Sequence, residues 1–121
     1  MLPAAHRMLR SEDFTTAVRS GARSGNRRLV IHYRAGGAGA TAPALVGVVV
    51  PKNQVARAAH RNRIKRRVRA LMAQRLTCLE PGARLVVRAL AGADGATSRQ
   101  LGADIDRLLA RSREPGRGAR R

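Results

Sequence analysis

A chain of 121 residues with 25 Lys or Arg against seven Asp or Glu carries a formal net charge of +18, and a polyanion, above all nucleic acid, is the partner that relieves such self-repulsion. That length fits one domain with a real core, and 44% apolar residues with only Phe14 and Tyr33 as aromatics make the core aliphatic. No stretch approaches the roughly 20 apolar residues of a membrane span, no apolar secretory segment follows Met1, and Cys78 stands alone, which excludes an intramolecular disulfide or a cysteine zinc cluster. The expected compartment is the cytoplasm.

Ser11, Glu12 and Asp13 mark a helix start, a hydroxyl cap followed by two acids at the positive end of the dipole. Phe14, Ala17 and Val18 recur at helical spacing, and Gly21 closes that short helix. Leu29-Val30-Ile31-His32-Tyr33 is β-branched and aromatic and reads as a strand. After the glycine-rich connection 36–40, Leu45-Val46-Gly47-Val48-Val49-Val50 is apolar at consecutive positions, so this second strand is covered on both faces. Pro51 ends it.

From about Arg57 to Leu79 the period becomes helical, with Ile64, Val68, Leu71, Met72 and Leu76 forming one apolar stripe. Cys78, at the end of that run, reads as a small buried hydrophobe. Pro81-Gly82 is a turn, and Leu85-Val86-Val87 is a third strand flanked by Arg84 and Arg88. Thr97 or Ser98 caps a last helix whose core face is Leu101, Ile105, Leu108 and Leu109. Residues 112–121, rich in Gly and Arg, read as a basic disordered tail on a single domain spanning 1–111. The order α-β-β-α-β-α gives a small α/β or α+β layer structure with helices on a short sheet.

The cations are not evenly spread. Between Asp13 and Glu80 there is no acid, while fourteen Lys or Arg fall in that stretch. Seven of the thirteen residues from 57 to 69 are basic: Arg57, Arg61, Arg63, Lys65, Arg66, Arg67 and Arg69. With Ile64 and Val68 facing the core, a rotation of about 100° per residue sets Asn62, Arg66 and Arg69 outward and Lys65 at the edge, with Arg63 and Arg67 in a second row. Guanidiniums on a rigid helix grip phosphate in a bidentate way, and Asn62 can meet sugar hydroxyls or base edges. A merely solvated face would interleave Glu at i,i+4 spacing, whereas like charges at that spacing cost stability.

Arg61-Asn62-Arg63-Ile64-Lys65-Arg66 resembles the "RNR" signature of the bacterial ribonuclease P protein family. Val50-Pro51-Lys52 and Arg57-Ala58 resemble that family's approach to the helix, and Arg7-Met8-Leu9 with Ser11-Glu12-Asp13-Phe14 resembles its N-terminal segment. Val86-Val87-Arg88 resembles its late strand, so that the likeness runs in order over about residues 6–111. It implies an α-β sandwich with a left-handed β-α-β crossover, against the usual rule. It also implies a catalytic RNA partner, and hydrolytic removal of the 5′ leader of precursor tRNA, the chemistry supplied by that RNA and its Mg²⁺. No membrane and no obligate protein partner are implied. By position, Lys52, Arg57, Arg61, Asn62, Arg63, Lys65, Arg66, Arg67 and Arg69 would contact RNA, and Phe14, Val18, His32 and Tyr33 would line a leader cleft. The family often carries aromatics where this chain has Val18 and His32, and Tyr33 falls on the opposite face from His32 by strand alternation.

No catalytic residue or metal site is expected in the protein itself. Its seven acids are scattered, Asp104 and Asp106 do not share a helix face, and His6, His32 and His60 are isolated. His60, beside Arg61, is read as touching phosphate or solvent rather than acting as a base. A structural or ribosomal RNA-binding protein fits the composition equally well. A DNA-binding regulator is disfavoured by the strands on both sides of the arginine helix, and an RNA-recognition sheet by the missing stacking aromatics.

Overall fold

The computed structural model describes residues 2–37 and 39–113. Three helices, α1 (Ser11–Ser20), α2 (Ala58–Ala73) and α3 (Ser98–Ser112), pack on four strands, β1 (Ala22–Gly25), β2 (Leu29–Arg34), β3 (Leu45–Val49) and β4 (Arg84–Ala89). The strands lie in the order β1-β2-β4-β3. β1 with β2 and β2 with β4 are antiparallel, and β3 with β4 is parallel, joined through α2. The expected order of elements is present, with β1 added to it. Ala22-Arg23-Ser24-Gly25 is too short and too poor in branched side chains to read as a strand, and pairing with β2 is what extends it.

Strand alternation sorts side chains onto two faces. Leu29, Ile31, Tyr33, Leu85, Val87, Ala89 and Val46 form the main core with Ile64, Val68 and Met72 of α2 and Leu101, Ile105 and Leu108 of α3. The other face carries Val86, Leu45 and Val49 against Met8, Phe14 and Ala17 of the α1 side. β3 is therefore covered on both faces as its unbroken apolar run implies. Its outer edge is met by the N-terminal segment, where Arg7 bridges Val46 and the Met8 N–H donates to the Val46 carbonyl at 2.9 Å.

Local signals were kept in some places and displaced in others. Thr97 closes a capping box with Gln100, its hydroxyl accepting from the Gln100 N–H at 3.1 Å. At α1 the cap position is Arg10, with no side-chain cap, and Ser11 is already helical. Asp13 turns to the sheet instead, accepting from Arg84 Nε at 2.8 Å. α2 stops at Ala73, short of the expected Leu79. Arg75 ends it: its backbone N–H closes a tight turn on Met72, and its side chain donates to the Leu71 carbonyl at 2.9 Å. Leu76–Cys78 is a separate short helical turn, and Cys78 is exposed rather than buried.

Three ion pairs fasten helices. Asp104, 1% exposed, accepts from Arg28 Nε at 2.7 Å and holds α3 to the start of β2, keeping the guanidinium above its ordinary pKa. Asp106 accepts from Arg75 at 2.6 and 3.2 Å and joins α3 to the end of α2. Arg84 with Asp13 joins α1 to β4. The expected tail begins later than residue 112, because Ser112 is buried and its hydroxyl bonds Ser24 at 2.7 Å. Arg113 donates to the Cys78 carbonyl at 2.8 Å. The rest of that tail, 114–121, lies outside the described residues.

Gly47 sits directly beneath Phe14: a Cβ there would fall 2.5 Å from Phe14 Cε1 and 3.2 Å from Met8 Sδ. Gly47→Ala should therefore destabilise by about 1–2 kcal/mol through overpacking, and the loss should largely vanish when Phe14→Ala is also present. Denaturant unfolding of the two single variants and the double variant measures that coupling. The Arg75 hydrogen bond holds the Asp106 carboxyl below its usual range. Its stabilising contribution is thus present above the unfolded-state value and lost as pH falls through the lowered folded value. Asp106→Asn should flatten the acid limb of a stability–pH curve and leave the neutral region nearly flat.

Candidate nucleic-acid interface

α2 buries Ile64, Val68 and Met72 and turns its remaining surface outward. Asn62, Arg63 and Arg66 are exposed, with Arg57 just before the helix and Lys52 in the preceding turn; Lys65 and Arg69 are half-buried along its edge. Among the described residues these seven side chains make no hydrogen bond or ion pair to the protein. They are five guanidinium or ammonium groups on one helix and its approach, plus Lys52 and one amide.

Arg61 and Arg67 sit differently. Arg61 Nη1 donates to the carbonyls of Val55 at 3.0 Å and Ala56 at 2.6 Å, so its guanidinium braces the turn that leads into the helix. Arg67 Nη1 donates to the Ala96 carbonyl at 2.6 Å, beside the start of α3. Each retains further N–H donors, but both are fixed first by backbone oxygens. Sequence spacing could not separate these two from the other cations, because their acceptors come from tertiary folding.

The acids are elsewhere. Glu12 pairs with Arg10, Asp13 with Arg84, Asp104 with Arg28 and Asp106 with Arg75. Among the described acids, only Asp94 is bonded to the basic part of α2, where it lies 3.0 Å from His60 Nδ1. His60 is thus not simply open to solvent. No group of three His, Cys, Asp or Glu close enough to hold a metal ion occurs among the described residues.

On the opposite face of the sheet a groove of about 370 Å³ runs between α1 and the strands. Phe14, Thr15, Val18 and Arg19 form one wall, and His32, Val49, Val86 and Arg88 the floor and far side. A second section of about 330 Å³ continues it past Val18, His32 and Arg88 to Arg23, Val30 and Leu90. Phe14, Val18 and His32 are brought together as the sequence implies, and Val18 stays 47% exposed at the rim. Tyr33 is not in this groove. Its side chain belongs to the main core on the other face, where burial pushes its phenol above the usual range. Sequence reasoning also missed Arg19, Arg23 and Arg88 as groove cations. Period two from Val86 to Arg88 and helical spacing from Thr15 to Arg19 were the available signals.

At the end of β3, Val49 lines the groove, and Pro51, Lys52 and the braced turn follow in sequence and lead into α2.

Solved structures share this architecture. The Staphylococcus aureus RNase P protein superposes with a TM-score of 0.76 at 22% identity, over 90% of this chain and 96% of that one. The Thermotoga maritima RNase P protein gives 0.70 at 22% identity, over 87% and 96%. Sequence relatives are nearer. The ribonuclease P protein component of Streptomyces bikiniensis is 45% identical over 116 residues, 92% of this chain and 94% of its own. That of Beutenbergia cavernae is 50% identical over 109 residues, covering 90% and 89%. The family model for Ribonuclease P matches residues 2–113, and the chain belongs to that family.

Proposed function

We propose that this chain is the protein subunit of ribonuclease P, binding the catalytic RNA through α2 and the 5′ leader of precursor tRNA through the α1 groove, in the cytoplasm. The observation that carries the reading is the path of the chain from Val49, in an open groove, through the braced turn to α2, along which seven polar side chains have no protein partner among the described residues and Asp94 is the one described carboxylate bonded to the first turn of the helix.

Each part of the path has a defined task. Arg63, Arg66 and Arg69 can grip backbone phosphates, Asn62 can read a hydroxyl or base edge, and the Arg61 brace fixes where Lys52 and Arg57 stand. In the groove, Phe14 and His32 offer ring faces to unstacked bases, while Arg19, Arg23 and Arg88 neutralise the phosphates between them. With Val18 in place of a ring, stacking rests on fewer surfaces than the family pattern has, and the arginines carry more of the grip.

The donor set of the chain does not suit Mg²⁺. Four of the six acids among the described residues are already bound to arginines and Asp94 to His60, and no group of three His, Cys, Asp or Glu that could hold a metal ion occurs there. Phosphodiester hydrolysis is assigned to the RNA and its Mg²⁺. The protein lowers the repulsion between two RNAs, an effect that weakens as salt rises.

Cleavage of precursor tRNA by the ribonuclease P RNA of the same source, at low Mg²⁺, tests the reading. Wild-type protein should stimulate cleavage at the mature 5′ end, and the Arg63→Ala/Arg66→Ala/Arg69→Ala variant should not. The salt slope of RNA binding should fall by about 2 to 3 in that variant. Phe14→Ala should raise KM for substrates with a leader and leave the affinity for mature tRNA unchanged. Tight RNA binding without stimulation would instead indicate a structural RNA-binding protein.

A further inference from the structure

Asp94 is conspicuous in a chain so short of acids. The other paired carboxylates hold arginines at element junctions or on the surface, whereas Asp94 holds a histidine in the first turn of α2. It belongs to the loop after β4, which is fixed to the arginine helix and its approach at two further points. The Ala91 N–H donates to Gln54 Oε1 at 3.0 Å, and Arg67 donates to the Ala96 carbonyl at 2.6 Å. Ala93 and Ala96 of the same loop are buried. Asp94 is therefore delivered to His60 by a segment that has little freedom.

A carboxylate can only accept, so the proton on His60 stands on Nδ1 and Nε2 is the nitrogen left for a ligand. Nε2 accepts when the ring is neutral and donates when it is charged. Arg57, just before the helix, and Arg63 stand three residues to either side and Arg61 follows directly, so His60 sits among the cations of the proposed RNA interface. β3, packed against α2, has no charged residue; α3 has Asp104 and Asp106, both held by arginines, with Arg99, Arg107 and Arg111 on its exposed side.

We infer that His60 is a further RNA contact that takes up a proton when a phosphate reaches Nε2, with Asp94 as the residue that positions the ring and supports the charged form. Asp94 and the phosphate then flank the imidazolium from both nitrogens, and binding strengthens as pH falls. The inference rests on the α2 interface proposed above.

Isothermal titration calorimetry of the full chain against the ribonuclease P RNA, in two buffers of different ionisation enthalpy, counts the protons taken up. Wild type should take up a measurable fraction of one proton near pH 7, unchanged by His6→Gln. His60→Gln should remove that uptake and bind about threefold to tenfold more weakly at pH 6, converging on wild type at pH 8.5. Asp94→Asn should reduce the uptake with the fold intact by thermal unfolding. His60→Arg, with its charge fixed, should bind at pH 8.5 as wild type binds at pH 6 and take up nothing. Equal affinity and equal uptake in wild type and His60→Gln would overturn the inference while leaving the interface standing. Failure of the wild type to bind the RNA would overturn both.

Discussion

Twenty-five cations and seven acids share a chain of 121 residues, and the repulsion among the cations is the constraint around which the remaining structure is arranged. The chain does not dilute this charge. It places carboxylates where one element must be held to another: Asp13 between α1 and β4, Asp104 between α3 and β2, Asp106 between α3 and the end of α2. Breaking a buried pair by removing one partner leaves an uncompensated charge, so Asp104 is fixed by the fold it supports. Among the described residues, the cations of α2 and its approach, Lys52, Arg57, Arg63, Lys65, Arg66 and Arg69, are left without a carboxylate partner. The positive surface is thus a consequence of where the few acids are committed.

Much of the architecture was legible because its signals are periodic. The stripe Ile64, Val68, Met72 announced α2, and a Thr97 or Ser98 cap before the face Leu101, Ile105, Leu108, Leu109 announced α3, where the structure gives Thr97 the cap. The unbroken apolar run of β3 announced a strand covered on both faces. β1 was hidden because Ala22 and Ser24 are small and their strand character comes from β2. The length of α2 was overestimated because Leu76 continues the apolar period after Arg75 has ended the helix with its own side chain.

Site residues divide in the same way. Phe14, Val18 and His32 were put in one groove by the family resemblance, not by their spacing, and the structure lines one groove with all three. Arg61 and Arg67 could not be distinguished from Arg63 and Arg66, since a guanidinium's partner among distant carbonyls leaves no trace in spacing. The His60–Asp94 contact, across 34 residues, was equally invisible. Tyr33 shows the converse: alternation puts it opposite His32, and the core position that follows makes it a packing residue.

The Arg61 brace changes how an arginine-rich helix should be understood. The turn at 51–57, which carries Lys52 and Arg57, is shaped by the Gln54 and Val55 N–H bonds to the Pro51 carbonyl, by the Gln54 side chain and by the buried Val55, and the Arg61 guanidinium adds two more fixed points to it. Ordering long side chains on binding costs about 0.5–1.5 kcal/mol each. Fixing the backbone beneath them in advance lowers that cost, and two arginines held by carbonyls do this without adding an acid that would cancel charge. An Arg–Glu brace would achieve the same geometry at the expense of the field. Neutral backbone oxygens are the acceptors that hold a cation in place and leave its charge uncancelled.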